Sequence, residues 1–466
     1  MPHTIRIIPI HPATPTPEGK IQARTVWGKF ARWRWVMLAL TQLIYYGLPW
    51  LSLNGRQAVL FDLEMRRFYI FHAVLYPQDL IYLAGLLVVA ALLLFFVTTV
   101  VGRFWCGFAC PQTVYTAMFM WIEEKVEGNR HRRLRLDSSA WNSEKLIRRG
   151  SKHAIWVLIS AWTGLTLVGY FTPITTLLTN ITAFNWGVWE IFWTGFYGLA
   201  TYVHAGLLRE KVCLHMCPYG RFQGSLMDTN TFNVAYDHRR GEPRQRHASA
   251  TRGACVDCTW CVQVCPTGID IRQGLQAACI SCGLCIDACN EVMDKLNQPR
   301  GLIRLASLAE LSHPKGQTQA VRSAWLRPRV VVYGTLLGMT SMVLALSFAY
   351  RPELRLNVIR DRGVMARQVA EGDIENVYRL QIMNATDSNK HIQIQLAEHT
   401  GISLQSDAKL TLPPAQAVTL PVTVRMAAAT AITHTGKIVP LIFELADEDK
   451  GKGSTSQTRS TFVVPQ

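Results

Sequence analysis

All twelve cysteines of this 466-residue chain fall into four short runs, and the last two constrain it most. They read Cys255-x-x-Cys258-x-x-Cys261-x-x-x-Cys265-Pro266 and Cys279-x-x-Cys282-x-x-Cys285-x-x-x-Cys289. A two-residue gap lets a turn aim three thiolates at one point, and the cysteine trailing each triplet serves the other run. The spacing predicts two 4Fe–4S clusters. One set is Cys255, Cys258, Cys261 and Cys289, and the other is Cys279, Cys282, Cys285 and Cys265. Zinc ribbons also pair C-x-x-C, but a zinc site takes four ligands at a time and needs no interleaved triplets. A chain with two such clusters moves electrons.

Composition places it. The sequence is 49% hydrophobic and only 17% charged, too apolar for an ordinary soluble protein. Five stretches are long enough for a bilayer, roughly 36–53, 80–101, 154–174, 186–208 and 330–350. The second is unbroken aliphatic and aromatic sequence. The first is short and ends in Gly47-Leu48-Pro49-Trp50; a cleaved signal peptide is its rival, disfavoured by the basic segment before it.

Charge orients the spans. Lys and Arg number 6 before the first span, 10 in 102–153 and 16 in 209–329, while the two intervening loops hold only Arg56, Arg66 and Arg67. The positive-inside rule puts the N-terminus, both basic segments and every cysteine in the cytoplasm. Basic residues beside membrane spans point to anionic lipid as partner, and no recognition motif accompanies them, so nucleic acid is not expected. The expected organisation is a basic segment 1–35, a four-span region 36–215 with the basic loop 102–153, a cytoplasmic region 216–329 with a ferredoxin-like α+β domain at about 250–300, a fifth span 330–350 and a periplasmic tail 351–466. In the tail, Tyr378-Arg-Leu380-Gln-Ile382, Ile392-Gln-Ile394-Gln-Leu396 and Val418-Thr-Leu420 alternate with period two, which predicts an all-β antiparallel sandwich. It has no cysteine and no catalytic set, and docking or spacing is its expected role.

The other two runs, Cys106-Gly-Phe-Ala-Cys110-Pro111 and Cys213-Leu-His-Met-Cys217-Pro218, follow the second and fourth spans. Both spans run inward. If each run continues its helix, cysteines four apart share a face, and four thiolates converge at the inner membrane surface. Soft sulfur suits Cu(I), zinc or a further cluster, and paired thiols suit disulfide chemistry. The residues alone leave copper, cluster and dithiol open. Glu190 and His204, in the fourth span, are candidates for quinone or proton chemistry. His72 and Asp79 are expected at an interface, and 114–126 reads as a helix lying on the inner surface.

The chain resembles the FixG/CcoG family of cytochrome c oxidase accessory proteins. The resemblance rests on Arg103-Phe-Trp-Cys-Gly-Phe-Ala-Cys-Pro-Gln-Thr113, Cys213-Leu-His-Met-Cys-Pro-Tyr-Gly-Arg221, Cys255 through Asp270, Cys279 through Asn290, and Pro299-Arg-Gly-Leu-Ile-Arg304. It implies a multi-span helical protein of the bacterial inner membrane with an immunoglobulin-like C-terminal domain. It further implies assembly of a cbb-type cytochrome oxidase, with Cu(II) reduced to Cu(I) at Cys106, Cys110, Cys213 and Cys217, and copper ions, copper chaperones and oxidase assembly components as partners. Asn290 departs from ferredoxins generally, where proline follows the fourth cysteine. Two other readings stay open: a respiratory carrier fed by quinol, and an assembly scaffold whose clusters are structural or redox-sensing. The electron donor is not written in the sequence.

Overall fold

The structure, a computed structural model, describes residues 20–245, 253–312, 326–361, 366–369, 372–386, 388–397, 401–405, 409–447 and 455–465. The first nineteen residues of the basic N-terminal segment lie outside them. The chain divides into two units, Met1–Trp50 with Leu83–Leu344 and Leu51–Tyr82 with Ala345–Gln466.

All five apolar stretches are helical. Two helices, Pro77–Val101 and Pro328–Ala349, are long and apolar enough to cross a membrane. The other three fall short for identifiable reasons. Lys29–Gly47 spends its first turns on Lys29, Arg32 and Arg34. Ser143–Val168 opens on a charged segment. Val188–Thr201 gives way to a π-helix over Tyr202–Leu208. Small residues let these helices approach: a Cβ on Gly164 would lie 2.3 Å from the Thr194 carbonyl oxygen, and one on Gly198 would lie 3.2 Å from that of Ser160.

The 114–126 stretch is not a surface helix. Pro111–Glu127 buries Phe119, Ile122, Glu123 and Glu127. Phe119 stacks on buried Trp156, with ring centroids 5.1 Å apart. Glu123 is fully buried and gathers Lys20, Arg133 (3.6 Å), Lys152 (3.3 Å) and Arg209 (2.9 Å); Lys152 also bonds Glu127 at 2.6 Å. The segment's helical apolar spacing belongs to a core, and its carboxylates are inside because four cations meet them there.

The cysteine-rich part of this unit is built on one antiparallel strand pair, Asn233–Tyr236 with Ile303–Ala306, and two helices, Trp260–Gln263 and Leu284–Lys295. Val234, Ile271, Ile286, Met293 and Ile303 form its core. Asp287 ties it to the Lys29–Gly47 helix, since its Oδ2 accepts from the Ala31 amide at 2.8 Å and so caps that helix.

The second unit is a sandwich of two antiparallel sheets. One orders Ile402–Leu404, Ala417–Met426, Ile374–Asn384 and Leu354–Arg360; the other orders Lys409–Leu412, Lys390–Leu396, Ile438–Asp447 and Thr455–Val463. The alternating residues Tyr378, Leu380, Ile382, Ile392 and Ile394 all face its core. The loop between the first two apolar stretches also belongs to this unit. It forms three short strands, Val59–Asp62, Arg67–Ile70 and Ala73–Leu75, and its Val74 and Tyr76 pack on Met383, Ala385 and Ala415. Asp79, expected at an interface, is instead buried and paired with Arg355 at 2.5 Å.

Candidate metal centres

The two long cysteine runs fold as near copies. In the first, Asp257 and Thr259 flank Cys258 with φ of 50° and 61°; in the second, Ser281 and Gly283 flank Cys282 with φ of 52° and 73°. A left-handed residue on each side of the middle cysteine curls the chain around a centre, so that all three side chains of a triplet point inward. Thr259 and Gly283 then start the two helices. Along Leu284–Lys295, Cys285 and Cys289 are one turn apart.

Two small cavities result, walled by sulfur and aliphatic or aromatic carbon. Cys255, Cys258, Cys261 and Cys289 surround one, with Tyr236, Met293 and Ile303. Cys265, Cys279, Cys282 and Cys285 surround the other, with Val234, Ile269 and Ile271, and Cys261 borders this one too. Cys261 aside, each cavity takes its cysteines from one of the two quartets expected from the spacing.

The donor set fits a cluster. Burial pushes Cys261, Cys279 and Cys289 up to about 12 and raises Cys265 and Cys285, with neighbouring sulfurs adding to the shift. Thiols this reluctant ionise together only around a cationic core. Sulfurs set around a cavity suit a polynuclear core better than zinc. The Ser281 amide donates to Cys279 Sγ at 3.4 Å, and the Cys265 thiol lies 3.3 Å from the Thr267 hydroxyl, contacts of the kind that tune cluster potential.

Asn290 has a local explanation. The Leu284–Lys295 helix runs through it, and its Oδ1 accepts from the Gly301 amide at 3.0 Å. The first run has Pro266 because no helix continues past Cys265.

The two C-x-x-x-C-P runs differ from expectation in their local geometry. Neither continues its apolar helix. Gly102 (φ 54°) breaks the first, and Arg209 (φ 46°) breaks the second. Cys106 then sits on a short helix, Phe104–Phe108, and Cys213 on a π-helical turn, Val212–Met216. Cys110 and Cys217 are extended N-caps of the helices that begin at Pro111 and Pro218. Proline here opens a helix rather than only ending one. The four thiols lie within electrostatic reach of one another. Burial raises Cys106 to about 11, and Cys110 and Cys217 are near enough to oppose its ionisation. Burial raises Cys213 to about 12, with Cys110, Cys106 and Cys217 adding to it.

Residues that the sequence did not single out bind this group to the cluster loops. Gly107, between Cys106 and Cys110, lies against the second run: a Cβ there would fall 2.8 Å from the Ile280 carbonyl oxygen and 2.9 Å from Cys282 Cα. The Arg103 guanidinium donates to the Ala277 carbonyl, to Cys279 O at 3.2 Å and to Gly220 O at 2.8 Å, tying the second cluster loop to the Pro218–Leu226 helix. Gln223 Nε2 donates to Cys106 Sγ at 3.3 Å. Arg103 opens a stretch that carries the family resemblance, but nothing in the sequence assigned it a role of its own, because a cation just beyond a span ordinarily marks a membrane surface. Of the other candidates, Glu190 accepts from the Gly187 amide at 3.0 Å and caps its own helix. The His204 carbonyl accepts from Gln112 Nε2 at 2.9 Å within the π-helix.

Comparison with known proteins finds iron–sulfur and immunoglobulin-like domains in this chain. A 4Fe-4S dicluster domain model matches residues 208–308, a 4Fe-4S binding domain model matches 83–130, and a model described as an IG-like fold at the C-terminal of FixG matches 344–465. Nitrogen fixation protein FixG of Rhizobium meliloti is 39% identical over 413 residues, covering 81% of this chain and 79% of the relative. The chain belongs to the FixG family. Protein RdxA of Cereibacter sphaeroides is 36% identical over 411 residues, 86% of this chain and 87% of its own. A crystal structure of a FixG-related protein from Vibrio parahaemolyticus aligns with 24% of this chain and 97% of its own at 21% identity and a TM-score of 0.21. This FixG-family chain is therefore an iron–sulfur electron-transfer protein with a dicluster domain and an immunoglobulin-like C-terminal domain.

Proposed function

We propose that the chain is a membrane-bound cupric reductase serving assembly of a cbb-type cytochrome c oxidase. Cys255, Cys258, Cys261 and Cys289 would hold one 4Fe–4S cluster, and Cys265, Cys279, Cys282 and Cys285 the other; each, when bound, supplies a site that gains and loses one electron. Cu(II) is the substrate. It gains one electron and becomes Cu(I), and no covalent bond breaks, so no acid–base residue is required. Cys106, Cys110, Cys213 and Cys217 receive the ion, since thiolate sulfur prefers Cu(I) and holds the product. The observation that carries the reading is the contact of Gly107 with the Cys282 backbone, which sets these thiols beside a cluster loop. Burial and the neighbouring sulfurs also oppose ionisation of Cys106 and Cys213, so these two thiols favour the thiolate when a cation arrives.

Five spans are proposed, with the N-terminus and all cysteines in the cytoplasm and the sandwich in the periplasm. The packing of Tyr76 on Ala385 supports it, because the loop and the tail that charge places outside form one unit.

Replacing Cys110 and Cys217 together with serine tests the copper assignment. The reduced protein should keep its cluster EPR signals while Cu(II) reduction falls by at least about tenfold, the loss of a rate-determining ligand pair. Full reduction in the double variant sinks the assignment. Loss of further iron would instead make the four thiols a third cluster site.

A further inference from the structure

A cavity of about 400 Å³ opens between residues 23–27, the Lys29–Gly47 helix, the Pro111–Glu127 helix and two cysteine loops. Gly107 and Phe108, inside the Cys106–Cys110 run, form one side of it; Pro266 and Leu284, neighbours of Cys265 and Cys285, form another. No cysteine lines the cavity, but a molecule in it touches chain neighbours of both thiol systems. Its volume is that of a small-molecule site. Three indoles line it, Trp27, Trp35 and Trp121, the last two edge to face at 6.2 Å. Such walls suit a flat ring.

The cavity's three arginines are engaged with the protein itself, and its fourth cation, Lys125, lies over the Trp121 ring at 5.9 Å. Arg24 stacks on Trp260 at 3.7 Å, Arg34 donates to the Gly107 carbonyl at 3.1 Å, and Arg133 donates to the Ala23 carbonyl at 2.6 Å. A phosphorylated nucleotide is thus poorly matched, and an uncharged ring is well matched. Beyond the cavity the same helix exposes Val36, Leu40, Leu43 and Ile44, a face suited to lipid rather than water. Glu124, on the cavity wall, offers a carboxylate to a ring hydroxyl.

We propose that this cavity binds the ring of a membrane hydroquinone, with Glu124 accepting a hydrogen bond from one hydroxyl. The inference rests on the electron-transfer reading above and names the class of its donor. A hydroquinone becomes a quinone by losing two electrons and two protons. The two electrons would leave one at a time to the centres that the two cysteine quartets would hold, and the protons to Glu124 and water.

Quenching of tryptophan fluorescence in the full-length protein in nanodiscs, titrated with decylubiquinone, tests it, with iron assayed in the same samples. Saturable quenching is expected. Ala117→Phe, which fills the cavity, should weaken binding about tenfold, and the isosteric Glu124→Gln about threefold, because the hydroxyl's acceptor changes from a carboxylate to a neutral amide oxygen. Linear, unsaturable quenching, or equal affinity in wild type and both variants, overturns the proposal. So does a saturable response to NADH in place of the quinone. Quenching that appears only after deletion of residues 2–19 also overturns it, since the cavity then belongs to the chain's own N-terminus. Low iron with normal quenching would instead count against the electron-transfer reading alone.

Discussion

Gly107 and Arg103 do at the level of single residues what the cysteine spacing cannot. A side chain at Gly107 would collide with backbone rather than with a mobile side-chain tip, at Ile280 O and Cys282 Cα. Gly107→Val should therefore push the Cys106–Cys110 run off the second cluster loop, at a cost of about 1–3 kcal/mol typical of overpacking. Iron analysis of the purified variant should show partial loss, and Cu(II) reduction should fall further than iron does. Unchanged iron and unchanged reduction would mean that this contact transmits nothing. The sequence marked every cysteine of the site but neither of these two residues. A cysteine advertises its chemistry by type and spacing, whereas a glycine is needed only because of a backbone from another part of the chain.

At the scale of elements, period and spacing were readable where one element makes its own pattern. The alternation through Tyr378, Leu380 and Ile382 placed a strand whose inward residues are the ones buried. Register breaks were not readable. The helix ends at Gly102 and Arg209 depend on distant groups: a Cβ on Gly102 would meet Asn233 Oδ1, and Arg209 is held by Glu123 at 2.9 Å. Nor did the 114–126 pattern distinguish a membrane surface from a core, since its buried carboxylates are stabilised by cations from four other segments. Asn290 shows the opposite case, where the element explains a sequence departure. Asn290→Pro should break the Leu284–Lys295 helix between Cys289 and its C-terminus, costing about 3 kcal/mol or more. The expected readout is selective loss of the cluster that Cys289 serves, seen as a fall toward half the iron; full iron retention would show that the helix can end at Cys289 without harm.

At the scale of the whole molecule, the apolar stretches, the dicluster domain and the β-rich tail could all be placed from sequence. The partnership of residues 51–82 with the tail could not, because three- and four-residue strands carry too little pattern to be seen alone. That partnership gives the topology a direct check. A reporter active only in the periplasm should work when fused after Gln466 or within residues 63–66, and fail when fused within 139–142. Activity at 139–142 would invert the orientation. The central claim, that eight cysteines in two quartets make this an electron-transfer protein, is tested most directly by metal and sulfide analysis of anaerobically purified protein with low-temperature EPR after reduction. About eight irons and eight sulfides per chain, with signals from reduced 4Fe–4S centres, are predicted; stoichiometric zinc with no such signal would contradict it.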